Sequence, residues 1–196
     1  MKFYVNSELM DITLEGEKTV GEILGSFETV CSQNKCATIG IEVNGNTIDA
    51  DKFDEIAAME LKDDTEIKLT IVSEQSIAEM FKRSSKEASD IAEILIQVPV
   101  MLQSGKDSDA FKAITHLTDI ISNFCHAITL SSLFPDKFNQ IKIEDQSLSD
   151  FFNDFSKVFN DFNDALQNND TVLIGDISEY EICPRLKALS KATKDL

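Results

Sequence analysis

The chain opens with apolar residues at every second position and changes rhythm once. Phe3 and Val5, then Met10, Ile12 and Leu14, alternate with polar residues, and Asn6-Ser7-Glu8 between them reads as a hairpin turn. Thr19-x-x-Glu22 is a capping box, and the helix it opens carries Val20, Ile23, Leu24, Phe27 and Val30 at helical spacing. Alternation returns at Ile39, Ile41 and Val43. Asn44-Gly45 supplies the positive-φ pair of a type I′ turn, and Thr47-Ile48 starts the return strand. A short helical turn is expected near 51–58, and "EIKLTIV" (66–72) is the last strand.

From Glu74 the apolar period becomes about 3.6 and stays there. Ser76-x-x-Glu79 is a second capping box. Its helix is expected to run to about Ser104, kinked at Pro99 and stopped by Gly105, with Ile77, Phe81, Ala88, Ile91, Leu95, Val98 and Leu102 facing inward. Asp107 or Ser108 caps a second helix to about Leu133, with Phe111, Ile114, Leu117, Ile121, Phe124 and Ile128 as its stripe. Pro135 ends it. The connection to Gln146 holds Phe138, Ile141 and Ile143, which predict a segment packed across the helices. Ser147 or Ser149 caps a third helix, "QNND" (167–170) breaks it, and Asp170 caps a fourth. The tail "SKATKDL" is expected to fray. The reading is an α+β chain: a strand-rich domain over 1–73 and an antiparallel four-helix bundle over 74–196.

The order strand, strand, helix, strand, strand, strand, headed by "MKFYVNSELMDITLEGEKTVGEIL" and closed by "LKDDTEIKLTIV", resembles the ubiquitin-like β-grasp fold. The resemblance covers residues 1–73 and is one of topology. It implies a scaffold used by carriers, adaptors and oligomerisation modules alike. Carriers of that fold end in a free Gly-Gly, whereas Val72-Ser73 runs straight into a helix, so conjugation and sulfur transfer would lack their carboxylate.

"FFNDFSKVFNDF" (151–162) raises the question of binding against packing. At about 100° per residue its Phe side chains and Val158 share an arc of roughly 120°, the ordinary width of a bundle face. Phe152 and Phe159 sit at one margin, where a fourth helix leaves an aromatic edge for a partner.

Charge narrows the partners. The formal net charge is −17; residues 1–73 hold 6 Lys against 15 Asp+Glu, and the remainder 12 Lys+Arg against 20. Neither part offers a basic stripe to neutralise phosphates, which excludes nucleic acid and anionic membrane surfaces and favours a basic or amphipathic protein segment. No apolar run is long enough to span a bilayer, and no leader pattern precedes Lys2. Cys31, Cys36, Cys125 and Cys183 read as reduced, buried thiols of a cytoplasmic protein.

Candidate chemistry is sparse. His116 and His126 lie ten residues apart on one helix and point about 80° away from each other. Cys31 and Cys36 enclose four residues, unlike a zinc knuckle, and no phosphate loop, nucleophile elbow or H-E-x-x-H occurs. Paired carboxylates such as Asp150/Asp154 and Asp161/Asp164 fall on predicted polar faces. No metal or cofactor is expected. One stretch stands apart: Asp176, Glu179, Tyr180, Glu181 and Pro184 interrupt an apolar helix, with Asp176 and Tyr180 one turn apart. This D-x-x-E-Y-E-I-x-P pattern resembles bacterial helical proteins akin to flagellar or secretion chaperones, and implies protein binding without catalysis. The expectation is therefore a non-enzymatic bacterial adaptor, assembly factor or chaperone, with Phe152, Phe159, Asp176, Glu179 and Tyr180 as protein-binding candidates. The alternatives are a homo-oligomerising structural protein and an enzyme with an unrecognised site.

Overall fold

The computed structural model describes residues 1–196. The N-terminal alternation folds as β1 (Lys2–Val5) and β2 (Glu8–Met10), followed by α1 (Val20–Gln33), β3 (Cys36–Val43) and β4 (Asn46–Thr47). A 3-10 turn (Ala50–Lys52) leads into α2 (Phe53–Ala57), and β5 (Glu66–Ser73) closes the sheet. The strand order is β2-β1-β5-β3-β4; β1 and β5 run parallel and the other pairs antiparallel. Asn6 and Ser7 (φ 48° and 71°) and Asn44 and Gly45 (φ 51° and 81°) make the two hairpin turns in the left-handed region.

Asn6 has a second task. Where β1 ends and β5 continues, its side-chain oxygen accepts from Ile71 N–H at 2.9 Å and its amide nitrogen donates to Ile71 C=O at 3.2 Å. The carboxamide thus stands in for the missing strand residue.

The capping box forms as read, with Glu22 N–H on Thr19 Oγ1 at 3.3 Å and Thr19 N–H on Glu22 Oε2 at 3.2 Å. Phe3, Val20, Ile23, Leu24, Val43, Ile67 and Leu69 form the buried core of this unit. Full burial of each aliphatic or Phe side chain contributes about 1.5–3 kcal/mol before entropy is counted. Two expectations change. Val30 faces solvent, 53% exposed, and Cys31 takes the inner position, because α1 turns its face through 20, 24, 27 and 31. The second strand stops at Met10 rather than Leu14: Met10 already opposes Phe3, so β1 runs out of chain to pair with residues beyond.

The chain divides into two compact units, Met1–Glu74 and Gln75–Leu196. The second unit is built from α3 (Glu74–Leu95, entering from the first), α4 (Val98–Gln103), α5 (Asp107–Ser131), α6 (Pro135–Phe138) and a small hairpin, β6 (Lys142–Ile143) and β7 (Gln146–Ser147). Then come α7 (Leu148–Gln167), α8 (Thr171–Asp176), a π-helical turn (Ile177–Ile182) and α9 (Cys183–Thr193). The protein is α+β.

Several helices differ from expectation in instructive ways. α3 starts at Glu74, two residues before the predicted cap, with Glu74 N–H on the Lys35 carbonyl at 3.0 Å. Pro99 does not kink one helix; it sits in the first turn of α4, where its missing N–H is not needed, and the chain breaks ahead of it. α4 ends on Gly105 at φ 71°, with Lys106 N–H on Met101 C=O and Gly105 N–H on Leu102 C=O, a Schellman closure.

α5 buries Ala110, Ala113, Leu117, Ile120, Phe124 and Ala127, so its inner face is rotated from the predicted stripe; Phe111 is 60% exposed. The connection after α5 packs inward through Phe138, Ile141 and Ile143 as expected. It also holds the unpredicted hairpin, whose turn places Glu144 and Asp145 at φ 49° and 68°. The tail does not fray before Thr193. That residue is fully buried, bonded to Ser85 Oγ and donating to Leu189 C=O at 2.9 Å.

Candidate functional site

Ser147 caps α7, accepting from Asp150 N–H at 3.1 Å. The apolar arc of that helix buries Phe151, Phe155 and Phe162, while Phe152 and Phe159 are half-buried at its margin. Ring centroids link Phe138, Phe81, Phe124, Phe152, Phe155 and Phe159 in steps of 5.8, 6.3, 6.2, 6.3 and 4.4 Å. The phenylalanines form a continuous aromatic seam, and their outer members border the surface.

Against α7 lies the predicted fourth helix, continuous over 171–193 but with a π segment between α8 and α9. Pro184 has no N–H for the carbonyl one turn back, and the chain ahead of it widens into the π turn Ile177–Ile182. Ile177, Ser178 and Ile182 turn inward, Ser178 Oγ donating to Ile174 C=O at 2.7 Å. Asp176, Glu179 and Tyr180 point to solvent. Tyr180 is 65% exposed and its phenol bonds to no neighbouring carboxylate or carbonyl. Arg185 Nη1 donates to the Glu181 carbonyl at 3.0 Å and to its carboxylate at 2.5 Å.

Between these elements runs an open groove of about 600 Å³, lined by Val158, Asp161 and Asp164 of α7, Leu173 of α8, and Ile177 and Glu181 of the π turn. Its floor is aliphatic and its rim is carboxylate. The single cation of α7, Lys157, is held 2.9 Å from Asp154, where it keeps that carboxyl below the ordinary range; it is not spent on Asp161 or Asp164. The lining includes none of the five residues singled out from the sequence. Phe159 and Tyr180 are chain neighbours of Val158 and Glu181, but Phe152, Asp176 and Glu179 stand apart from it. The groove residues carry a signal in hindsight: Val158 and Asp161 share a face of α7, and Leu173, Ile177 and Glu181 recur at intervals of four.

The remaining chemistry-bearing side chains are scattered. All four cysteines are unpaired. Cys31 and Cys183 are buried, and burial first of all pushes both thiols up, with Glu28 and Cys36 adding to the effect at Cys31. Cys125 is exposed, contrary to expectation, because it lies on the outer side of the rotated α5. No grouping of three or more His, Cys, Asp or Glu has the geometry to hold a metal ion. No helix is long and apolar enough to cross a membrane.

Fold and groove together define an α+β protein whose helical unit presents an acidic cleft with an apolar floor. The chain belongs to the family described as "Domain of unknown function (DUF8042)", whose model matches residues 79–192. Residues 1–73 match the model described as "TP0873 N-terminal domain". A relative from Treponema pallidum (strain Nichols), described as "Uncharacterized protein", is 26% identical over 190 residues, covering 97% of this chain and 94% of the relative. No solved structure matches.

Proposed function

We propose that this protein is a non-enzymatic, cytoplasmic interaction module of a bacterium: an adaptor, assembly factor or chaperone that holds a basic amphipathic helical segment of another protein. The α7–α8 groove carries the reading. A helix laid in it would seat apolar side chains on Val158, Leu173 and Ile177 and bring Lys or Arg to Asp161 and Asp164. Phe159 and Tyr180, beside the groove, would extend the contact.

The architecture supports this reading. The strand order β2-β1-β5-β3-β4 with its central parallel pair, and one long helix before β3, supports a ubiquitin-like β-grasp for the first unit. Four helical stretches, the first interrupted ahead of Pro99 and the last continuous through a π turn ahead of Pro184, support a modified four-helix bundle with a chaperone-like role for the second. The Treponema pallidum relative supports a bacterial source.

The test is affinity capture at low salt with the wild-type chain beside an Asp161→Lys/Asp164→Lys variant. A specific protein should be retained by the wild type and lost by the variant and by added salt. Equal retention by both would sink the reading.

A second reading, self-association, is favoured by Val100, Phe111 and Val172. These are 59%, 60% and 69% exposed, on α4 and its two packing neighbours α5 and α8. Sedimentation decides it: a monomer at high concentration removes the idea.

A further inference from the structure

Strand β2 is an edge of the sheet, and its outer side is open. Phe3 and Val5 of β1 face Met10 and Glu8 across a two-residue turn, so the backbone N–H and C=O of Leu9 between them point away from β1. The chain then continues through Asp11–Leu14, beyond the end of β1. The backbone of those four residues makes no hydrogen bond to the rest of the protein.

Beside this open backbone lies a notch of about 220 Å³ between segment 11–14 and α1, lined chiefly by Phe3, Ile12, Leu14, Ile23, Phe27 and Val30. It has the size for one or two branched aliphatic side chains. The apolar surface around it is left uncovered: Met10, which shares the face of Phe3, is 42%, Leu14 41% and Val30 53% exposed.

Charge selects the occupant. Glu17 lines the notch, Glu15 and Glu22 line the concavity next to it, Glu8 and Asp11 lie on the open edge, and Lys18 is the one cation from residue 8 to residue 28. A second copy would bring the same carboxylates against these and be repelled. A strand bearing Lys or Arg would be drawn in.

We propose that the β2 edge and the adjoining notch form a docking site for an extended segment of another protein. That segment adds as a strand beside Leu9–Leu14, seats an aliphatic side chain between Leu14 and Val30, and carries basic residues on either side. Main-chain pairing supplies the affinity and the notch the selectivity. The surface belongs to the first unit and does not depend on the α7–α8 groove, so either site stands if the other fails.

The experiment is selection of random twelve-residue peptides on the full-length chain, followed by titration of a synthesised consensus peptide into the isotopically labelled protein. The expected sequences alternate aliphatic residues within Lys or Arg flanks, and the peptide shifts amide resonances of Leu9–Leu14 and of α1 from Ile23 to Val30. Val30→Lys, at an exposed helical position, and Thr13→Pro, which deletes one open donor, should each weaken binding at least about tenfold. Unchanged unfolding midpoints show that both variants fold, and Val30→Lys alone decides if Thr13→Pro does not. The proposal is overturned if no such sequences are enriched, if the shifts fall elsewhere, or if both variants bind like the wild type. A dimer that the same substitutions break would assign the edge to a second copy instead, and overturn it as well.

Discussion

Gly21 in α1 sits so close to α2 that a Cβ added there would stand 2.9 Å from Ala57 Cβ and 3.0 Å from its carbonyl oxygen. In an open helix, alanine is better than glycine by about 1 kcal/mol. Against backbone that cannot move aside, the order reverses, and Gly21→Ala should destabilise the protein by about 1–2 kcal/mol in chemical denaturation; a more stable variant would refute the packing. Glu17 shows how a single carboxylate fixes a loop. It accepts from Glu15 N–H at 2.8 Å and from Ser26 Oγ at 2.9 Å, and backbone N–H groups, with the Ser26 hydroxyl next, hold it below its ordinary value of 4.5. Since the folded value is the lower, its contribution is present above pH 4.5 and lost as pH falls through the folded value. Glu17→Gln should flatten the acid limb of stability in that window, and an unaltered pH profile would show that the loop does not depend on the charge. Cys31 and Val30 carry the lesson of legibility at this scale. Both are apolar enough to face inward, and only the 20, 24, 27, 31 phase of the helix decides between them.

At the scale of elements, rhythm was readable and direction less so. The period placed α5 and found Leu117 and Phe124 of its inner row, yet drew Phe111, Ile114, Ile121 and Ile128 into the same stripe, because large side chains dominate any hydrophobic pattern. The real inner row alternates Leu117 and Phe124 with Ala110, Ala113, Ile120 and Ala127, and small residues such as these alanines carry little weight in a hydrophobic pattern. Phe111→Ala should therefore change stability by less than about 0.5 kcal/mol, while Phe124→Ala costs about 3–5 kcal/mol. Comparable losses at both positions, measured by urea unfolding, would restore the simpler stripe. Prolines were visible as interruptions, but whether one kinks a helix or begins the next depends on the chain before it; Pro99 begins α4 and Pro184 stands in the first turn of α9. The π turn has no signature in composition. The groove escaped for a related reason: Val158 and Asp161 belong to α7, and Leu173 and Ile177 to a segment that follows the break at 168–170, so no single periodic stretch contains it.

For the whole molecule, 35 acidic residues against 18 basic ones make self-repulsion a standing cost of the folded state. Screening it with salt should raise the thermal midpoint, by about 2–4 °C for each 1 kcal/mol recovered; a midpoint indifferent to salt would mean the charges are already well dispersed. The strand pattern and its turns were legible because alternation and Asn-Gly are local signals. The parallel pairing of β1 with β5 joins the two ends of the first unit, beyond the reach of any local window. That pairing has a further consequence, and it rests on Asn6. A central strand that outlasts its neighbour leaves a sticky margin on which misfolded chains could seed fibrils, and the Asn6 carboxamide seals it at Ile71. Aspartate would tolerate the left-handed turn but could not donate, and glycine would turn without sealing. Asn6→Gly should thus keep the fold yet gain thioflavin fluorescence on prolonged warming, and a variant that stays clear would show the margin to be harmless.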